Sequence, residues 1–125
     1  MQWIQYILLG LVLLLLIRKF LPMKGLVNLT SQEVEDVLQK AKGYSFIDVR
    51  EIHEYRGGHI KGFKNVPLSQ LSNRIQELNP DQSIVLTCRS GMRSRQAAKI
   101  LLKHGFTKVA HLKTGISGWH GGFVK

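Results

Sequence analysis

The sequence contains very little cysteine. Cys88 is the only one in 125 residues, so an internal disulfide framework and a cysteine-rich metal site are both excluded. A lone cysteine in a folded domain is either a small buried hydrophobe or a reactive thiol. We accordingly expect no metal and no bound cofactor, and the question is which kind of cysteine Cys88 is.

Acidic residues are also scarce. Eight Asp and Glu stand against 18 Lys and Arg, which gives a formal net charge of +10. This balance favours an anionic partner, such as a small anion, a lipid surface or a nucleic acid. Nucleic acid is not expected, because the basic residues are scattered and few aromatic side chains lie between them. Arg95, Lys99 and Lys103 have helical spacing and are predicted to form a solvated helix face, with a lipid-facing surface as the alternative.

Charged side chains are absent from the beginning of the chain. Residues 3–17 read WIQYILLGLVLLLLI, and the first charged side chain is Arg18. A helix over residues 1–17 would span roughly 25 Å, and the next few residues extend it to the ~30 Å hydrocarbon core of a bilayer. A cleaved signal peptide would carry basic residues before the apolar run and a small-residue cleavage site after it, and neither is present. We therefore predict an uncleaved transmembrane anchor over residues 1–21.

Positive charge follows the apolar run rather than preceding it. Arg18, Lys19 and Lys24 all lie on its C-terminal side. Cytoplasmic flanks of membrane helices are enriched in Lys and Arg, so we predict that the rest of the chain faces the cytoplasm, where a thiol stays reduced. A short linker over residues 22–28 would hold one folded domain, residues 29–125, close to the membrane.

Strands and helices alternate in residues 29–125. Thr30 and Glu33 form a capping-box pair at the start of an amphipathic helix. The predicted strands are 44–49, 83–87 and 108–112, and the other predicted helices are 51–58, 68–78 and 93–104. This order is typical of an α/β fold with a parallel sheet and helices on both faces.

Cys88 lies where such a fold places its ligands. It comes directly after the predicted strand 83–87 and before a predicted helix, and ligands of open α/β sheets bind beyond the carboxyl ends of the strands. The positive end of the helix, a turn centred on Gly91, and the guanidinium groups of Arg89 and Arg93 all favour a thiolate. The same surroundings suit a negatively charged group carried on the sulfur. We therefore interpret Cys88 as a reactive nucleophile.

The segment CRSGMRS, residues 88–94, resembles the active-site loop of the single-domain rhodaneses, whose pattern is C-R-x-G-x-R-[ST]. Three further segments resemble that family in the same order along the chain: DVRE at 48–51, GHIKGFKNVP at 58–67 and GISGW at 115–119. The resemblance covers about residues 28–125. Two positions depart from the family pattern, because Phe63 replaces a small residue and Thr114 replaces a glycine.

The resemblance implies a rhodanese-like fold and a sulfur-transfer reaction. Cys88 would take a sulfur atom from a small anionic donor such as thiosulfate, hold it as a persulfide, and pass it to a thiol or protein acceptor. The family's loop binds the persulfide through its backbone, and the matching residues here are Arg89, Ser90, Gly91, Met92, Arg93 and Ser94. Arg89 and Arg93 would also attract the donor, and Ser94 would add a hydroxyl hydrogen bond.

Four residues outside the loop are candidates for supporting roles, each with a structural alternative. Asp48 and Arg50 would orient the loop or form a structural ion pair, and for Arg50 we favour the ion pair. His59 follows a glycine pair, so we predict a structural hydrogen bond rather than a general base. Trp119 would either line the pocket or cover the core.

Two rival functions stay open from the sequence. Cysteine-based phosphatases and arsenate reductases use a similar loop, but they place one residue more between Cys and Arg than separates Cys88 from Arg93. The shorter loop suits one sulfur atom better than a phosphate. The second rival is a membrane-tethered docking or sulfur-relay module without turnover, and the intact CRSGMRS loop argues against an inert site but is compatible with a relay.

Overall fold

A computed structural model describes residues 1–21 and 23–125 of the chain. The helices in these residues are α1 Gln2–Phe20, α2 Ser31–Lys40, α3 Ile52–Arg56, α4 Leu68–Arg74 and α5 Met92–Lys103. The strands are β1 Leu26–Leu29, β2 Tyr44–Asp48, β3 Lys64–Asn65, β4 Ser83–Thr87 and β5 Val109–Leu112. Short 3-10 helices cover Ile75–Glu77 and Gly115–Gly118.

The strands form one parallel sheet in the order β1-β5-β4-β2-β3. The predicted parallel α/β architecture is confirmed, and β4, which carries Cys88 at its carboxyl end, lies in the middle of the sheet. Side chains alternate between the two faces, as the pleat of a strand requires. Ile84 and Leu86 face one way and Val85 the other, and all three are buried.

Helices cover both faces of the sheet. On the face of Ile84 and Leu86 the core includes Leu71 of α4 and Leu101 of α5. On the opposite face Val34 of α2 joins a second apolar cluster, whose other buried members are Phe46, Ile60, Phe63, Val85 and Leu112. The predicted layers are therefore confirmed.

Phe63 is one of the two departures from the rhodanese pattern, and it is a core residue. Its side chain is only 3% exposed, and its ring centroid lies 5.4 Å from that of Phe46. A pair of tilted aromatic rings at this separation packs favourably, so the larger residue fills the second apolar cluster rather than altering the reactive loop.

Two strands of the sheet were not predicted. Residues 26–28 of the predicted linker 22–28 belong to a strand instead, because Leu26–Leu29 pair with β5 as the edge strand, with Leu26 opposite Val109. Pro22, the first residue of that linker, lies outside the described residues. The strand β3 was also missed, since it consists of Lys64 and Asn65 alone. Strands this short carry no measurable alternation of polar and apolar residues, so their pairing depends on neighbours that are distant in sequence.

The first helix of the domain begins as predicted. The Thr30 hydroxyl accepts a hydrogen bond from the Glu33 backbone N–H at 3.2 Å, and the Glu33 carboxylate accepts one from the Thr30 N–H at 3.1 Å. This reciprocal pair satisfies two backbone donors that the first turn of α2 leaves without helical partners.

The helix α1 is apolar around its whole circumference. Its 18-residue segment Gln2–Lys19 has a mean hydropathy of 1.5, and none of it is buried against the rest of the protein. Length and composition make it a candidate membrane span, since 19 helical residues extend about 28 Å. Arg18 and Lys19 lie in its last turn.

Candidate active site

The sulfur of Cys88 lies at the junction of β4 and α5. The residue is 1% exposed, and the loop that follows it delivers the chain into α5, whose N-cap is Gly91. The Gly91 backbone N–H donates a hydrogen bond to Cys88 Sγ at 3.0 Å. The sulfur therefore lies against the N-terminal end of a 12-residue helix, where the partial positive charge of the helix dipole favours an anion.

Glycine is required at position 91. Its φ of +98° belongs to the left-handed region that other residues rarely adopt. A Cβ at this position would also lie 2.1 Å from the carbonyl oxygen of Lys113, far inside van der Waals contact. The backbone of the reactive loop thus packs directly on the end of β5, and this packing fixes the direction of the Gly91 N–H.

The GISGW segment supports the reactive loop from the other side. The Ile116 N–H donates to the Cys88 carbonyl at 2.8 Å, and the Ser117 N–H donates to the Arg89 carbonyl at 3.0 Å. Gly115 permits this approach, because a Cβ there would lie 2.5 Å from the Arg89 backbone. Thr114, the second departure from the family pattern, has an ordinary φ of −85°, so the loop does not need a glycine at that position.

Ser94 lies behind the sulfur in the first turn of α5. Its hydroxyl oxygen is 3.6 Å from Cys88 Sγ, and the side chain is fully buried. The hydroxyl is also 2.7 Å from His111 Nδ1, and the other ring nitrogen of His111 lies 2.8 Å from Asn28 Oδ1. The predicted hydroxyl contact of Ser94 is therefore present. It is the first of three successive polar contacts, through His111 to Asn28, that the sequence did not reveal.

His111 lies beside the candidate site, and sequence reasoning missed it. It lies in β5, opposite Asn28 of β1 in the register of the sheet, and only 4% of it is exposed. Burial lowers its pKa to about 4, and the nearby charges of Arg95 and Lys113 act in the same direction. The ring is thus neutral near pH 7. A histidine inside an otherwise apolar strand that ends beside Cys88 was the available signal.

The two arginines of the loop differ in their surroundings. Arg93 donates two hydrogen bonds to the Glu54 carboxylate, at 2.6 Å and 2.9 Å. The hydrogen bond from Arg93 lowers the pKa of Glu54 to about 2, and the same pairing raises the pKa of Arg93. Arg89 is exposed, and no hydrogen bond or ion pair engages its guanidinium among the described residues. Much of the Arg93 charge is therefore compensated, whereas that of Arg89 is available at the rim.

Ser90 and Met92 complete the loop, and both side chains face outward. Ser90 is exposed, and Met92 is 70% exposed. The sequence predicted that backbone groups from Arg89 to Ser94 converge on one sulfur. Among the described residues, the Gly91 N–H alone bonds Cys88 Sγ, so the convergence of the other N–H groups stays a prediction for the persulfide.

Asp48 and Arg50 form a buried structural ion pair. The Arg50 Nη2 lies 2.8 Å from Asp48 Oδ2, with side chains 5% and 0% exposed. The guanidinium also donates to the carbonyl oxygens of Glu54 and Gly58, at 3.3 Å and 2.8 Å. The structural alternative favoured for Arg50 therefore agrees with the geometry, and the pair ties the end of β2 to α3, which carries Glu54.

His59 and Trp119 lie outside the immediate surroundings of the sulfur. His59 Nδ1 is 2.9 Å from the Tyr55 carbonyl, and its ring stacks on Tyr55 with centroids 3.7 Å apart. This is the structural hydrogen bond that the sequence predicted. Trp119 packs against the second apolar cluster and donates from its indole N–H to Gly122 at 3.2 Å, so it covers the core.

The site contains one thiol, one backbone N–H that donates to its sulfur, and a row of hydrogen-bonded polar side chains behind it. Among the described residues, no group of three or more His, Cys, Asp and Glu side chains is arranged to hold a metal ion. The chemistry that this arrangement favours is attack by a thiolate, with an anionic product held against the start of a helix.

Comparison with known proteins places this geometry in a family. The family model "Rhodanese-like domain" matches residues 30–121. The chain is 43% identical over 98 residues to "Uncharacterized protein YqhL" of Bacillus subtilis, covering 78% of this chain and 75% of that protein. It is 32% identical over 83 residues to "Thiosulfate sulfurtransferase GlpE" of Shewanella oneidensis, covering 66% of this chain and 82% of that protein.

Solved structures show the same fold. A crystal structure of thiosulfate sulfurtransferase from Pseudomonas aeruginosa superposes with a TM-score of 0.67 at 28% identity. The superposition covers 74% of this chain but only 18% of that longer chain. The residues that the family model matches include the whole Cys88 loop and the GISGW segment that supports it. The chain therefore belongs to the rhodanese-like domain family.

Proposed function

We propose that this protein is a sulfurtransferase that carries sulfane sulfur as a persulfide on Cys88. The observation that carries the proposal is the contact between Cys88 Sγ and the Gly91 N–H, 3.0 Å long, at the N-terminus of α5. A sulfur held there meets an aligned backbone donor and the positive end of a helix dipole. Both stabilise a thiolate before transfer and a persulfide anion after it.

The first half-reaction loads the sulfur. The Cys88 thiolate attacks the outer sulfur of thiosulfate, a bond forms between Sγ and that sulfur, and the original sulfur–sulfur bond breaks. Sulfite leaves with the electron pair, and the negative charge of the thiolate passes to the terminal sulfur of the persulfide. The added sulfur would occupy the centre of the loop, where the remaining N–H groups between Arg89 and Ser94 can reach it.

The second half-reaction returns the enzyme to its starting state. An acceptor thiolate or cyanide attacks the terminal sulfur, the bond between Sγ and that sulfur breaks, and its electron pair returns to Cys88 as a thiolate. Arg89 serves the first half-reaction, because its exposed charge, which no described residue pairs, attracts a dianionic donor to the rim. Arg93 contributes less to this attraction, since Glu54 compensates it.

The size of the loop supports sulfur over phosphate. Four residues separate Cys88 from Arg93, and the Gly91 backbone packs on Lys113 with no room for a Cβ. A loop held this tightly encloses one atom, whereas a PO₃ group needs donors spread around three oxygens. The two named thiosulfate sulfurtransferases among the similar proteins also support this choice.

Steady-state kinetics of the full chain in detergent tests the proposal. With thiosulfate as donor and cyanide or a thiol as acceptor, double-reciprocal plots at several acceptor concentrations should be parallel, as ping-pong transfer requires. The Cys88→Ser variant should have no activity, and Ser72→Ala, a change at an exposed serine of α4, should match the wild type. Loading without turnover for every small acceptor would favour a sulfur relay to one protein partner over an enzyme.

We propose further that α1 anchors the domain to a membrane as a single-pass helix, with the domain in the cytoplasm. The apolar circumference of α1 and its 18-residue candidate span support the anchor, and Arg18 and Lys19 at its end support the orientation. A reporter that is active only in the cytoplasm should be active when fused after Lys125. Activity only of a reporter specific for the opposite side would overturn the orientation.

A further inference from the structure

A buried polar chain runs from the reactive sulfur to the edge of the sheet. Cys88 Sγ lies 3.6 Å from Ser94 Oγ, which lies 2.7 Å from His111 Nδ1, and His111 Nε2 lies 2.8 Å from Asn28 Oδ1. Ser94 is fully buried and His111 is 4% exposed, whereas Asn28 is exposed and lines an open cavity of about 440 Å³. Every member after the sulfur both accepts and donates hydrogen bonds.

The direction of these hydrogen bonds follows from Asn28, the residue farthest from the sulfur. Asn28 Oδ1 is only an acceptor, so the proton of the neutral imidazole lies on Nε2. His111 Nδ1 then carries a lone pair and, at 2.7 Å, accepts the single proton of the Ser94 hydroxyl, in preference to the Gly91 carbonyl oxygen, which lies farther from that hydroxyl at 3.1 Å. Ser94 consequently presents a lone pair to Cys88, which suits a protonated thiol.

A charged sulfur requires the opposite direction. A thiolate or a persulfide anion needs a donor, and when Ser94 turns its proton to the sulfur, its 2.7 Å contact with His111 stays a hydrogen bond only if Nδ1 donates to Ser94. The ring is neutral near pH 7, since burial and the charges of Arg95 and Lys113 lower its pKa to about 4. The Nε2 position must therefore give up its proton. Asn28 accommodates this, because rotation of its exposed amide exchanges Oδ1 for the donor Nδ2.

We propose that Ser94, His111 and Asn28 form a reversible hydrogen-bond chain that changes direction when Cys88 becomes charged, so that His111 and Asn28 are positioning residues for the nucleophile. On ionisation the thiol proton passes to Ser94 Oγ, the former Ser94 proton passes to His111 Nδ1, and the Nε2 proton leaves to solvent beside Asn28. One proton is released, the sulfur gains one negative charge and the imidazole stays neutral. The inference rests on the proposed function only in taking Cys88 as the sulfur that becomes charged.

The position of the imidazole proton tests the chain directly. Long-range nitrogen–proton NMR spectra of the histidine-labelled full chain in detergent distinguish Nδ1–H from Nε2–H. Spectra are compared at one pH below and one pH above the midpoint of Cys88 alkylation by iodoacetamide. We expect His111 to change from mainly Nε2–H to mainly Nδ1–H. A proton that stays on Nε2 at both pH values would overturn the proposal.

Two controls separate this change from a direct effect of pH. In the Cys88→Ala variant His111 should keep its proton on Nε2 across the same pH range, and a shift there would contradict coupling to the sulfur. His104 should not respond to Cys88 in any variant, because its Nδ1 contacts the Ile100 carbonyl of its own helix at 2.8 Å. The surrounding charges of Arg95 and Lys113 are unchanged in both comparisons.

The Asn28→Asp variant tests the far end of the chain. A carboxylate has nearly the shape of the amide but only accepts, so His111 should keep its Nε2 proton even when Cys88 is charged. The Ser94 lone pair would then remain directed at the sulfur, and alkylation of Cys88 at neutral pH should become severalfold slower. Alkylation at the wild-type rate, or a proton that still moves to Nδ1, would show that Asn28 does not control the chain.

The outcome is independent of sulfur transfer. If the hydrogen bonds of Ser94, His111 and Asn28 reverse although no donor transfers sulfur to Cys88, the inference is supported and the sulfurtransferase proposal is rejected. If sulfur transfer follows ping-pong kinetics while the His111 proton stays on Nε2, the sulfurtransferase proposal is supported and this inference is rejected. Because Asn28 is exposed on an edge strand, its substitution by Asp leaves the buried core unchanged.

Discussion

The Glu54 carboxylate accepts two hydrogen bonds from the Arg93 guanidinium, at 2.6 Å and 2.9 Å, and so joins α3 to the first turn of the helix behind Cys88. The pair is bidentate and only partly exposed, with side chains 23% and 32% accessible. Bidentate pairs of this kind are stronger than ordinary surface ion pairs, and they fix orientation as well as distance. Arg93 is thereby a residue that shapes the loop as much as one that attracts a donor.

The Glu54→Gln variant should lose stability in a manner that depends on pH. The pKa of Glu54 is lowered from 4.5 to about 2, chiefly by the Arg93 hydrogen bond. A lowered carboxylate pKa stabilises the folded state fully above the unfolded value, and this stabilisation is lost as pH falls toward the folded value. At pH 7 we expect a loss of about 1 kcal/mol, after allowance for partial exposure.

Thermal unfolding of the full chain in detergent measures this effect. The difference between wild type and Glu54→Gln should shrink as pH falls from about 4.5 toward 2. Glu35→Gln is the matched control, because Glu35 is exposed on α2 and makes no ion pair among the described residues. A difference that stays constant between pH 7 and pH 2 would mean that the Arg93 pair does not contribute.

Sequence patterns predicted the site where its parts are contiguous in the chain. The segment from Cys88 to Ser94 carries the thiol, the Gly91 turn and the start of α5 within one loop, so its position indicated a reactive cysteine and its resemblance to the rhodanese loop implied sulfur transfer. The longer strands and helices were also predictable, because each is either a periodic pattern or a continuous apolar run. Asp48–Arg50 and Thr30–Glu33 were found for the same reason, since their members are two and three residues apart.

Contacts between distant parts of the chain could not be predicted in this way. Glu54 and Arg93 are 39 residues apart, and His111 and Asn28 are 83 residues apart. Their pairing depends on the strand order of the sheet, which places β2 beside β4 and β5 between β1 and β4. Because β1 is only four residues long, it was not predicted from the sequence. Asn28 was therefore assigned to a linker, and its contact with His111 could not be foreseen.

Alanine substitutions at Gly91 and Gly105 separate the cost of a left-handed backbone conformation from the cost of a steric clash. Their φ angles are +98° and +91°, but a Cβ at Gly105 meets open space whereas one at Gly91 would lie 2.1 Å from the Lys113 carbonyl. The Gly105→Ala variant should lose about 1 kcal/mol of stability and keep full sulfur transfer. The Gly91→Ala variant should lose more stability and at least tenfold in transfer rate, about 1.4 kcal/mol of transition-state stabilisation.

The comparison requires unfolding and transfer measurements on both glycine variants. The loss of activity in Gly91→Ala should come with slower alkylation of Cys88, because the loop would shift and carry the Gly91 N–H away from Sγ. Equal activity in the two variants would contradict the view that the Gly91 turn positions the donor to the sulfur.

Arg89 should discriminate between charged and neutral donors. The Arg89→Ala variant should raise KM for thiosulfate about fivefold, since an exposed guanidinium contributes roughly 1 kcal/mol to the attraction of a dianion. Use of a neutral persulfide donor should change little, and the difference should diminish at high salt. Lys103→Ala, at the opposite end of α5, is the control and should leave both donors unaffected. An equal loss for both donors would assign Arg89 a structural role instead.

The most direct test of the central claim is the intact mass of the full chain after incubation with thiosulfate in detergent. The wild type should gain about 32 Da, one sulfur atom on Cys88, and lose it again when cyanide or an acceptor thiol is added. The Cys88→Ser variant, which has no other cysteine, should gain nothing under the same conditions. A wild-type mass that stays unchanged with thiosulfate and with persulfide donors would contradict sulfur transfer by this protein.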